Sequence, residues 1–405
     1  MKQAVTGNTG PKVRSDIEVR LELTDSGGIE LSLKSKVKSM YGNAIEAQCR
    51  ELLGLFGVRN ARMTINDSGA LPFVIAARVE AAVRALTGTE ASFLPDMIAE
   101  NSCTSSRDRF RFSRLYLPGN SPGMFLNAGL HSPDGVILDL EDSVAPDRKD
   151  EARILVRNAL RAVDFYGAER MVRINQGERG LDDLEYVIPH NVHLVLIPKC
   201  ETAETVRQVD EKIRDIKRRE AQDEAVFLMP IIESAAGVER AYDIATASTS
   251  VVAMAIGLED YTADLGVQRT KEGKESLYAR NRLVVAAKAA GIQPIDSVFS
   301  DVGDMEGLLE NVITSKAMGF EGMGCIHPRQ IAVIREGFSP TADEIEKAKK
   351  IVAAFREALQ KGLGVVALGT KMIDPPVVAR AEKTITLAVR LGLLPENWAE
   401  TEAKQ

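Results

Sequence analysis

The chain is poor in the residues that build disulfide frameworks and zinc sites. It contains 4 cysteines and 4 histidines among 405 residues. No two cysteines form a C-x-x-C pair, so neither a disulfide framework nor a zinc ribbon is expected, and the reducing cytoplasm is the expected compartment. His190 and His193 lie three residues apart, but they lead into an apolar run. A role at a strand edge or in a loop is favoured there over a zinc site.

Excess positive charge, aromatic side chains and long apolar runs are also lacking. The 51 lysines and arginines are outnumbered by 58 acidic residues, which gives a net charge of −7. Nucleic acid is therefore not an expected partner, because phosphate binding needs clustered basic residues. One tryptophan and seven tyrosines leave few side chains for base stacking. No window reaches the roughly 18 uncharged apolar residues of a membrane span, so no membrane association is expected.

The first 90 residues have the pattern of a small α+β domain. Apolar and polar residues alternate over Ile17–Leu23 and again over Ile29–Leu33, on either side of a Gly27-Gly28 turn, which predicts a hairpin. The other predicted elements are a helix, a strand and a second helix, over residues 42–56, 62–66 and 69–86. Periodicity is lost over residues 87–109, and a linker is expected over residues 91–109.

Beyond the linker, eight short apolar runs alternate with amphipathic stretches. The runs are Leu115–Leu117, Val136–Leu140, Met171–Ile174, Leu194–Pro198, Phe227–Ile232, Val251–Ile256, Pro294–Phe299 and Gly322–Ile326. Runs of this kind predict strands buried on both faces and joined by parallel crossovers. Eight of them predict a (β/α)8 TIM barrel over residues 110–338, with an open doubly wound sheet as the alternative. Residues 339–405 are expected to form a helical extension that begins at a Thr341–Glu344 capping box.

Acidic residues lie at or just beyond the carboxyl ends of the second, fifth and sixth runs, where a barrel places its active site. They are Asp139, Glu141, Asp142, Glu233 and Asp260. Carboxylates that converge need a cation among them, and oxygen ligands without thiolate or imidazole favour Mg²⁺ or Mn²⁺. Glu233 and Asp260 are the predicted protein ligands, and the other three are expected to hold metal-bound waters. The alternative for each acid is capping of the helix that follows it.

Two cations lie at the carboxyl end of the third run and directly after the fourth. Arg173 is expected to bind a substrate carboxylate, and the alternative is a salt bridge to Asp139 or Glu141. Lys199 is expected to contact a phosphate or carboxylate of the substrate. Its alternative is a Schiff base with a ketone.

Five segments at or near these strand ends carry a family resemblance: Ser113–Asn120, Ile137–Val144, Pro230–Ser234, Gly257–Tyr261 and Ile326–Ile331. They resemble the citrate lyase β-subunit family, which includes malyl-CoA and citramalyl-CoA lyases, and the resemblance runs from about Arg107 to Leu394. It implies Mg²⁺ bound by Glu233 and Asp260, and substrate contacts from Arg111 and Arg173. It also implies a catalytic aspartate that reaches the site of a neighbouring subunit, here Asp374 in Lys-Met-Ile-Asp.

The front domain resembles the acyl carrier (γ) subunit of citrate lyase, through Lys34–Gly42 and Asp67–Leu71. The resemblance implies a phosphoribosyl-dephospho-CoA arm on a serine near the start of the chain. Ser15 is the nearest candidate, although the glutamate that usually precedes this serine is missing; a plain turn serine is the alternative. The linker is expected to let the domain pivot, so that the arm reaches the barrel.

These features lead to one preferred function and two alternatives. The preferred function is Mg²⁺-dependent cleavage of a carrier-bound citryl thioester to oxaloacetate and an acetyl thioester. Arg173, Glu141 and Asp374 are the expected catalytic residues, and Arg111, Arg173 and Lys199 the expected substrate contacts. The alternatives are a citramalyl- or malyl-CoA lyase that uses free coenzyme A, and a non-catalytic carrier or assembly subunit. Expected partners are further copies of the chain in a homotrimer and the α (transferase) subunit of citrate lyase.

Overall fold

The computed structural model describes residues 3–360, 362, 365–368 and 371–398, and it divides the chain into two compact units, Met1–Ile334 and Arg335–Gln405. The strands are β1 Gln3–Thr6, β2 Ile17–Leu23, β3 Ile29–Ser35, β4 Ala61–Asp67, β5 Ser113–Pro118, β6 Gly135–Asp139, β7 Glu169–Arg173, β8 Leu194–Ile197, β9 Phe227–Ile232, β10 Ala253–Ile256, β11 Gln293–Ile295, β12 Met323–Cys325, β13 Val366–Leu368 and β14 Lys371–Ile373.

The helices are α1 Lys38–Leu55, α2 Pro72–Thr87, α3 Pro122–Phe125, α4 Lys149–Ala162, α5 Gly177–Val187, α6 Ala203–Arg219, α7 Ala235–Glu239, α8 Ala241–Ala245, α9 Leu258–Asp264, α10 Leu277–Ala289, α11 Met305–Met318, α12 Arg329–Phe338, α13 Ala342–Gln360 and α14 Pro375–Arg390. In the part of the chain that the structure describes, no helix has the length and apolar character needed to cross a membrane.

The front domain is a four-stranded sheet in the order β1-β2-β4-β3, together with α1 and α2. Strand β4 is antiparallel to β2 and parallel to β3. The predicted β2–β3 hairpin is therefore wrong, because β4 lies between the two strands. Gly28 accepts a hydrogen bond from the amide of Ala61 (3.0 Å) at the start of β4. Met63 and Ile65 of β4 are fully buried. The Gly27-Gly28 turn reverses the chain, but the apolar face of β4 takes the central place in the sheet.

Strands β5 to β12 form the predicted barrel. Each strand is parallel to its neighbours, in the order β11-β10-β9-β8-β7-β6-β5-β12, and a bridge between Asp296 and Met323 joins the two ends. Each of the eight predicted apolar runs overlaps one of these strands. The interior is filled by buried side chains that include Ile137, Met171 and Met229. The TIM-barrel prediction is confirmed, and the open doubly wound alternative is excluded.

Buried ion pairs join the front domain to the barrel. On α2, Glu80 accepts two hydrogen bonds from Arg157 of α4 (2.9 and 2.7 Å). Arg78, also on α2 and with no exposed surface, donates to both carboxylate oxygens of Asp16 (3.0 Å each) and pairs with Glu151 of α4 (3.3 Å). Removing either partner of such a pair typically costs about 3–5 kcal/mol, because a buried charge is left uncompensated. The two domains are therefore held as one unit.

The linker is packed against the barrel. Asn101, which is 1% exposed, donates to the carbonyls of Leu160 and Val163 (2.9 and 2.8 Å). Ser105 donates to Glu169 (2.5 Å). Arg107 donates to the carbonyl of Thr249 (2.6 Å). The expectation of a pivoting linker is wrong in this structure, because a pivot would break the hydrogen bonds of Asn101 and Ser105 to buried residues of the barrel.

His190 and His193 are packed in the edge of the barrel. His190 ends a short 3-10 turn and contacts Arg161 (3.3 Å). His193 precedes β8 and contacts Arg170 (2.8 Å). Burial lowers the pKa of His190 to about 3 and that of His193 to about 4. Both are structural side chains beside arginines, as the sequence favours, and all four cysteines are free thiols.

The second unit contains α13, the antiparallel strands β13 and β14, and α14. The predicted capping box is present, because Thr341 Oγ1 accepts from the amide of Glu344 (3.1 Å) and Glu344 Oε2 accepts from that of Thr341 (2.8 Å). Its core includes Val352, Ile385 and Trp398. On α13, Val352 is buried, whereas Leu359 is 54% exposed.

Candidate active site

The carboxyl ends of the barrel strands surround a cavity of about 510 Å³, here called the mouth cavity. Its polar and charged lining consists of Arg114, Tyr116, Asp142, Ser143, Arg173, Glu233, Glu259, Asp296 and Ser297. Apolar side chains such as Ile231 and Ile256 complete the wall. A largely apolar cavity with a few convergent charged groups, at this end of a TIM barrel, is the usual form of a ligand site.

Arg173 ends β7 and is held by the acids that follow β6. Its Nε and Nη2 atoms each donate to Asp139 (2.7 Å), and Nη1 pairs with Glu141 (3.1 Å). The guanidinium also lies over the Tyr116 ring, 5.3 Å from its centre. Burial acts to raise the pKa of Asp139, but the Arg173 hydrogen bonds outweigh it and hold that pKa below its usual value. The alternative salt bridge is thus present, and Arg173 still faces the cavity.

Lys199 and Glu141 extend this network. Lys199 Nζ donates to Glu141 (3.0 Å) and Asp142 (3.2 Å). Burial acts to lower the pKa of Lys199, but these carboxylates outweigh it and raise the value above that of a free lysine. A Schiff base needs a neutral amine, so this environment disfavours the imine alternative. Glu141 also accepts from Gln176 (2.8 Å) and from the Asp142 amide (3.1 Å). Together with Lys199 and Arg173, these make four donors to the two carboxylate oxygens of Glu141.

Glu233 and Asp260 form the predicted acidic pair. Glu233, at the end of β9, is 5% exposed and accepts from the amide of Lys199 (2.9 Å). Burial, together with a hydrogen bond to the neighbouring Asp260 carboxyl, raises the pKa of Glu233 to about 8. A side chain at Gly257 would place its Cβ 2.7 Å from Glu233 Oε2, so this glycine leaves room for the acid.

The acidic pair fits a hard divalent cation. Two adjacent carboxylates resist joint ionisation, and a cation between them relieves the repulsion. Among the residues that the structure describes, no group of three or more His, Cys, Asp or Glu side chains gathers as a ligand set. Mg²⁺ commonly takes only one or two protein carboxylates and completes its shell with water and substrate. The donor set of Glu233 and Asp260 matches that preference.

Arg114 is the functional candidate that sequence reasoning missed. It is the second residue of β5, is 1% exposed and lines the mouth cavity. Nη1 donates to the sulfur of Met229 (3.0 Å), whereas Nε has no partner within residues 3–360. Burial lowers the pKa of this guanidinium to about 10. The available signal was the two-residue period of β5, which puts Arg114, Tyr116 and Pro118 on one face.

The structure places Arg111 at the opposite end of the barrel. It precedes β5 and has no exposed surface. It donates to both oxygens of Glu169 (2.8 Å each) and to Gln293 (2.6 Å), which begin β7 and β11. These amino ends of the strands are here called the floor. The prediction that Arg111 contacts substrate is therefore wrong in this structure, because the residue lies before its strand and its donors are used by the protein.

Two other predicted residues have local structural contacts, one at a helix cap and one in a turn. Asp374 accepts from the amide of Val377 (3.2 Å) and caps α14 in the second unit. Ser15 stands in a left-handed turn, with φ of 55°, and its amide donates to the carbonyl of Ser68 (3.0 Å). It is partly exposed and directly precedes the buried Asp16. The catalytic role of Asp374 and the modification of Ser15 stay predictions.

Comparison with known proteins accounts for both parts of the first unit. Residues 113–328 match the family model described as HpcH/HpaI aldolase/citrate lyase, and residues 1–86 match an acyl carrier model described as malonate decarboxylase delta subunit. Citrate lyase subunit beta of Haemophilus influenzae is 40% identical over 285 residues, 69% of this chain and 97% of the relative. Human mitochondrial citramalyl-CoA lyase is 34% identical, over 77% of this chain and 96% of the relative.

Solved structures show the same similarity. Protein CitE from Mycobacterium tuberculosis, in complex with magnesium, acetoacetate and coenzyme A, has a TM-score of 0.60 and 31% identity, covering 70% of this chain and 99% of its own. A citrate lyase beta subunit from the same organism, complexed with oxaloacetate and magnesium, has a TM-score of 0.50 and 32% identity, over 58% of this chain and 99% of its own.

Proposed function

The chain belongs to the HpcH/HpaI aldolase/citrate lyase family and is a carbon–carbon lyase, and on that basis we propose that it cleaves a citryl thioester to oxaloacetate and an acetyl thioester. The observation that carries the proposal is the buried, incompletely paired guanidinium of Arg114 in the same cavity as the Glu233 carboxylate. The guanidinium suits a substrate carboxylate, and the Glu233 carboxylate suits a cation that would bind the reacting oxygens.

Arg114 supplies the argument for a carboxylate-bearing substrate. A guanidinium taken out of water needs an anionic partner, or the cost of its burial is uncompensated. No carboxylate of the described residues pairs with Arg114, whereas Arg111 at the floor is saturated by Glu169. Citryl, malyl and citramalyl groups all carry a carboxylate on the hydroxyl-bearing carbon, which becomes the carbonyl carbon of the product. Arg114 is therefore assigned to that carboxylate, with Arg173 as the second cation of the wall.

Glu233 and Asp260 are assigned as the ligands of Mg²⁺. The M. tuberculosis structures that contain magnesium with acetoacetate and coenzyme A, or with oxaloacetate, support this metal and this class of ligand. When bound, Mg²⁺ would polarise the oxygens of the substrate hydroxyl and carboxylate and lower the pKa of that hydroxyl. The pair is well prepared for the ion, because the buried Glu233 lies beside the half-exposed Asp260 and their two negative charges repel each other.

The reaction breaks the bond between the hydroxyl-bearing carbon and the α-carbon of the thioester. A base accepts the hydroxyl proton, the hydroxyl oxygen becomes the ketone oxygen of oxaloacetate, and the electron pair of the broken carbon–carbon bond passes to the thioester as an enolate. The enolate then takes a proton and becomes an acetyl thioester. We assign Asp374 of a neighbouring copy as the acid. Glu141 is assigned as a positioning residue rather than a base, because its oxygens already accept from Arg173, Lys199 and two other donors.

The carrier of the thioester is assigned from the front domain. The match of this domain to an acyl carrier model supports a phosphoribosyl-dephospho-CoA arm on Ser15. In this proposal the chain is a β/γ fusion that releases oxaloacetate and works with the α (transferase) subunit of citrate lyase. The second candidate is cleavage of citramalyl- or malyl-CoA with free coenzyme A. It is favoured by the similarity to human citramalyl-CoA lyase and by the docked front domain, which leaves a carrier little freedom to swing.

The assembly is proposed to be a homotrimer with shared sites. Mixing Asp374→Asn with Glu233→Gln subunits is expected to restore part of the activity, because some sites then combine an intact Asp374 with an intact metal pair. Turnover of the mixture relative to each variant alone measures this. Proven subunit mixing without complementation would contradict the sharing of sites.

The experiment that tests the function compares citryl-, citramalyl- and malyl-CoA as substrates in Mg²⁺, with detection of the 2-oxoacid or glyoxylate product. Arg114→Met is expected to lower kcat/KM at least 100-fold for the true substrate, because a charge-assisted contact to its carboxylate is lost. Arg59→Met, an exposed arginine of the front domain, is the control. Citryl-CoA turnover that survives Arg114→Met unchanged would overturn the assignment.

A further inference from the structure

A second cavity of about 810 Å³ lies between the front domain and the barrel. One wall is the loop over residues 8–16 of the front domain, and the other is formed by the barrel loops that follow β5 and β6. We call it the loop cavity. Met124 and Ser143 line both this cavity and the mouth cavity, so the two are contiguous at the rim of the barrel.

The two walls are held at a fixed separation by buried contacts. Asn8 donates to Asp16 (2.8 Å) within the front domain and to the carbonyl of Asn120 (3.1 Å) in the barrel. Arg78 donates to the side-chain oxygen of Asn120 as well (2.6 Å). A side chain at Gly123 would place its Cβ 2.7 Å from the carbonyl oxygen of Arg14, so the two backbones are in direct contact there. The loop cavity is therefore a built feature of the docked domains.

The front-domain wall presents cations that the protein does not use. Lys12 and Arg14 line the loop cavity and are exposed. Within residues 3–360 neither side chain is engaged in an ion pair. Arg148 of the opposite wall is paired with Glu151 (3.2 Å), and Asp147 is a carboxylate of that wall. Unpaired cations on one side of a cleft attract an anion, in a chain whose net charge is −7.

We propose that the loop cavity binds the phosphate-bearing tail of the acyl thioester, with Lys12 and Arg14 as phosphate contacts. This inference rests on the proposed thioester substrate. The acyl group occupies the mouth cavity, the pantetheine passes Met124 and Ser143, and the phosphates reach the front-domain wall. Because that wall lies outside residues 113–328, which match the lyase family, the fused domain contributes a binding surface that the barrel alone does not have.

The same phosphate chemistry has two sources, free coenzyme A and a covalent arm on Ser15. The fixed docking means that the front domain acts as a wall of the site in either case, and not as a shuttle. An intact-mass measurement on protein from its native host distinguishes the sources. Added mass on Ser15 identifies the arm as the occupant, whereas an unmodified serine identifies the free coenzyme; each agrees with a phosphate site in the loop cavity.

The test measures binding of coenzyme A to the full-length, unmodified protein by calorimetry, without metal or turnover. The double variant Lys12→Gln/Arg14→Gln is expected to raise the Kd about three- to tenfold at low salt, and less at high salt, because exposed charge contacts are modest and screened. Binding of pantetheine, which has no phosphate, is expected to be unchanged. The control Lys34→Gln/Arg59→Gln removes the same charge from the same domain, at exposed positions outside the loop cavity.

Three results would overturn the proposal: no binding of coenzyme A to the wild-type protein, equal weakening by the control variant, or an equal loss of pantetheine affinity in the double variant. Failure of the proposed function is distinguishable. A protein that cleaves no thioester but shows the expected coenzyme A binding pattern would retain the phosphate site and lose only the assigned reaction.

Discussion

Two arginines of the barrel, three positions apart, have the same burial and different surroundings. Arg111 at the floor is 0% exposed, and Arg114 at the mouth cavity is 1% exposed. Arg111 donates to Glu169, Gln293 and backbone carbonyls, so its charge is fully compensated by the protein. Arg114 has one sulfur contact and an Nε without a partner within residues 3–360. The guanidinium at the floor forms a structural ion pair, whereas the guanidinium at the mouth has no carboxylate partner within residues 3–360.

The same contrast holds for the acids of the two regions. Glu169 at the floor is neutralised by Arg111 (2.8 Å). Glu233 at the mouth lies beside another carboxyl group, and its pKa is raised to about 8 by burial and by Asp260. Like charges placed together in a cleft are typical of functional sites, because a bound ligand or cation balances the charge that no protein group balances. In this barrel, therefore, the presence of an oppositely charged partner distinguishes structural charged residues from functional ones, whereas burial does not.

The largest expected effect is on catalysis, at the mouth. Glu233→Gln and Asp260→Asn should each abolish Mg²⁺-dependent cleavage, because each removes one of two protein ligands. Unfolding in urea should show that both variants keep at least the wild-type stability, since each removes one of two neighbouring acids that repel each other. Near-normal turnover in Mg²⁺ by either variant would contradict the assignment of Glu233 and Asp260 as metal ligands at the mouth.

The next effect is on stability, at the floor. Arg111→Met should lower the free energy of unfolding by about 3–5 kcal/mol, because Glu169 is left as a buried, unpaired charge. Arg114→Met should leave the stability unchanged or raise it, because it removes a buried charge that lacks a protein partner. Urea denaturation of the two variants measures the difference. Adding Glu169→Gln to Arg111→Met should recover part of the loss; equal losses from Arg111→Met and Arg114→Met would refute the comparison.

The smallest effect is a pH dependence of the metal-free protein. The folded pKa of Glu233, about 8, lies above its ordinary value of 4.5. A raised pKa contributes stability that is fully present below pH 4.5 and is lost as the pH rises through about 8. The free energy of unfolding should therefore fall as the pH rises from 5 to 8, and its slope against pH should be shallower in Glu233→Gln. Saturating Mg²⁺ should flatten the wild-type slope, and a slope identical in wild type and variant would argue against Glu233 as its source.

Local patterns were sufficient for much of this protein. Short apolar runs predicted all eight barrel strands, because a strand buried on both faces must be apolar along its length. The acids and cations that follow those runs were correctly expected to converge, since parallel strands bring their carboxyl ends to one edge: Asp139, Glu141, Arg173, Lys199, Glu233 and Asp260 lie in one contact network. The capping box at Thr341 is a purely local signal and is present as expected.

The sequence by itself determined which segments are strands and which strand ends carry charge. Only the tertiary structure decided which charges are compensated. Arg111 and Arg114 are alike in sequence, but their difference depends on Glu169, 58 residues from Arg111. The docking of the front domain likewise depends on Arg78 meeting Asp16, 62 residues away, and Asn120. Strand β4 separates β2 from β3 for the same reason: pairing energies come from residues distant in the chain, which local periodicity does not encode.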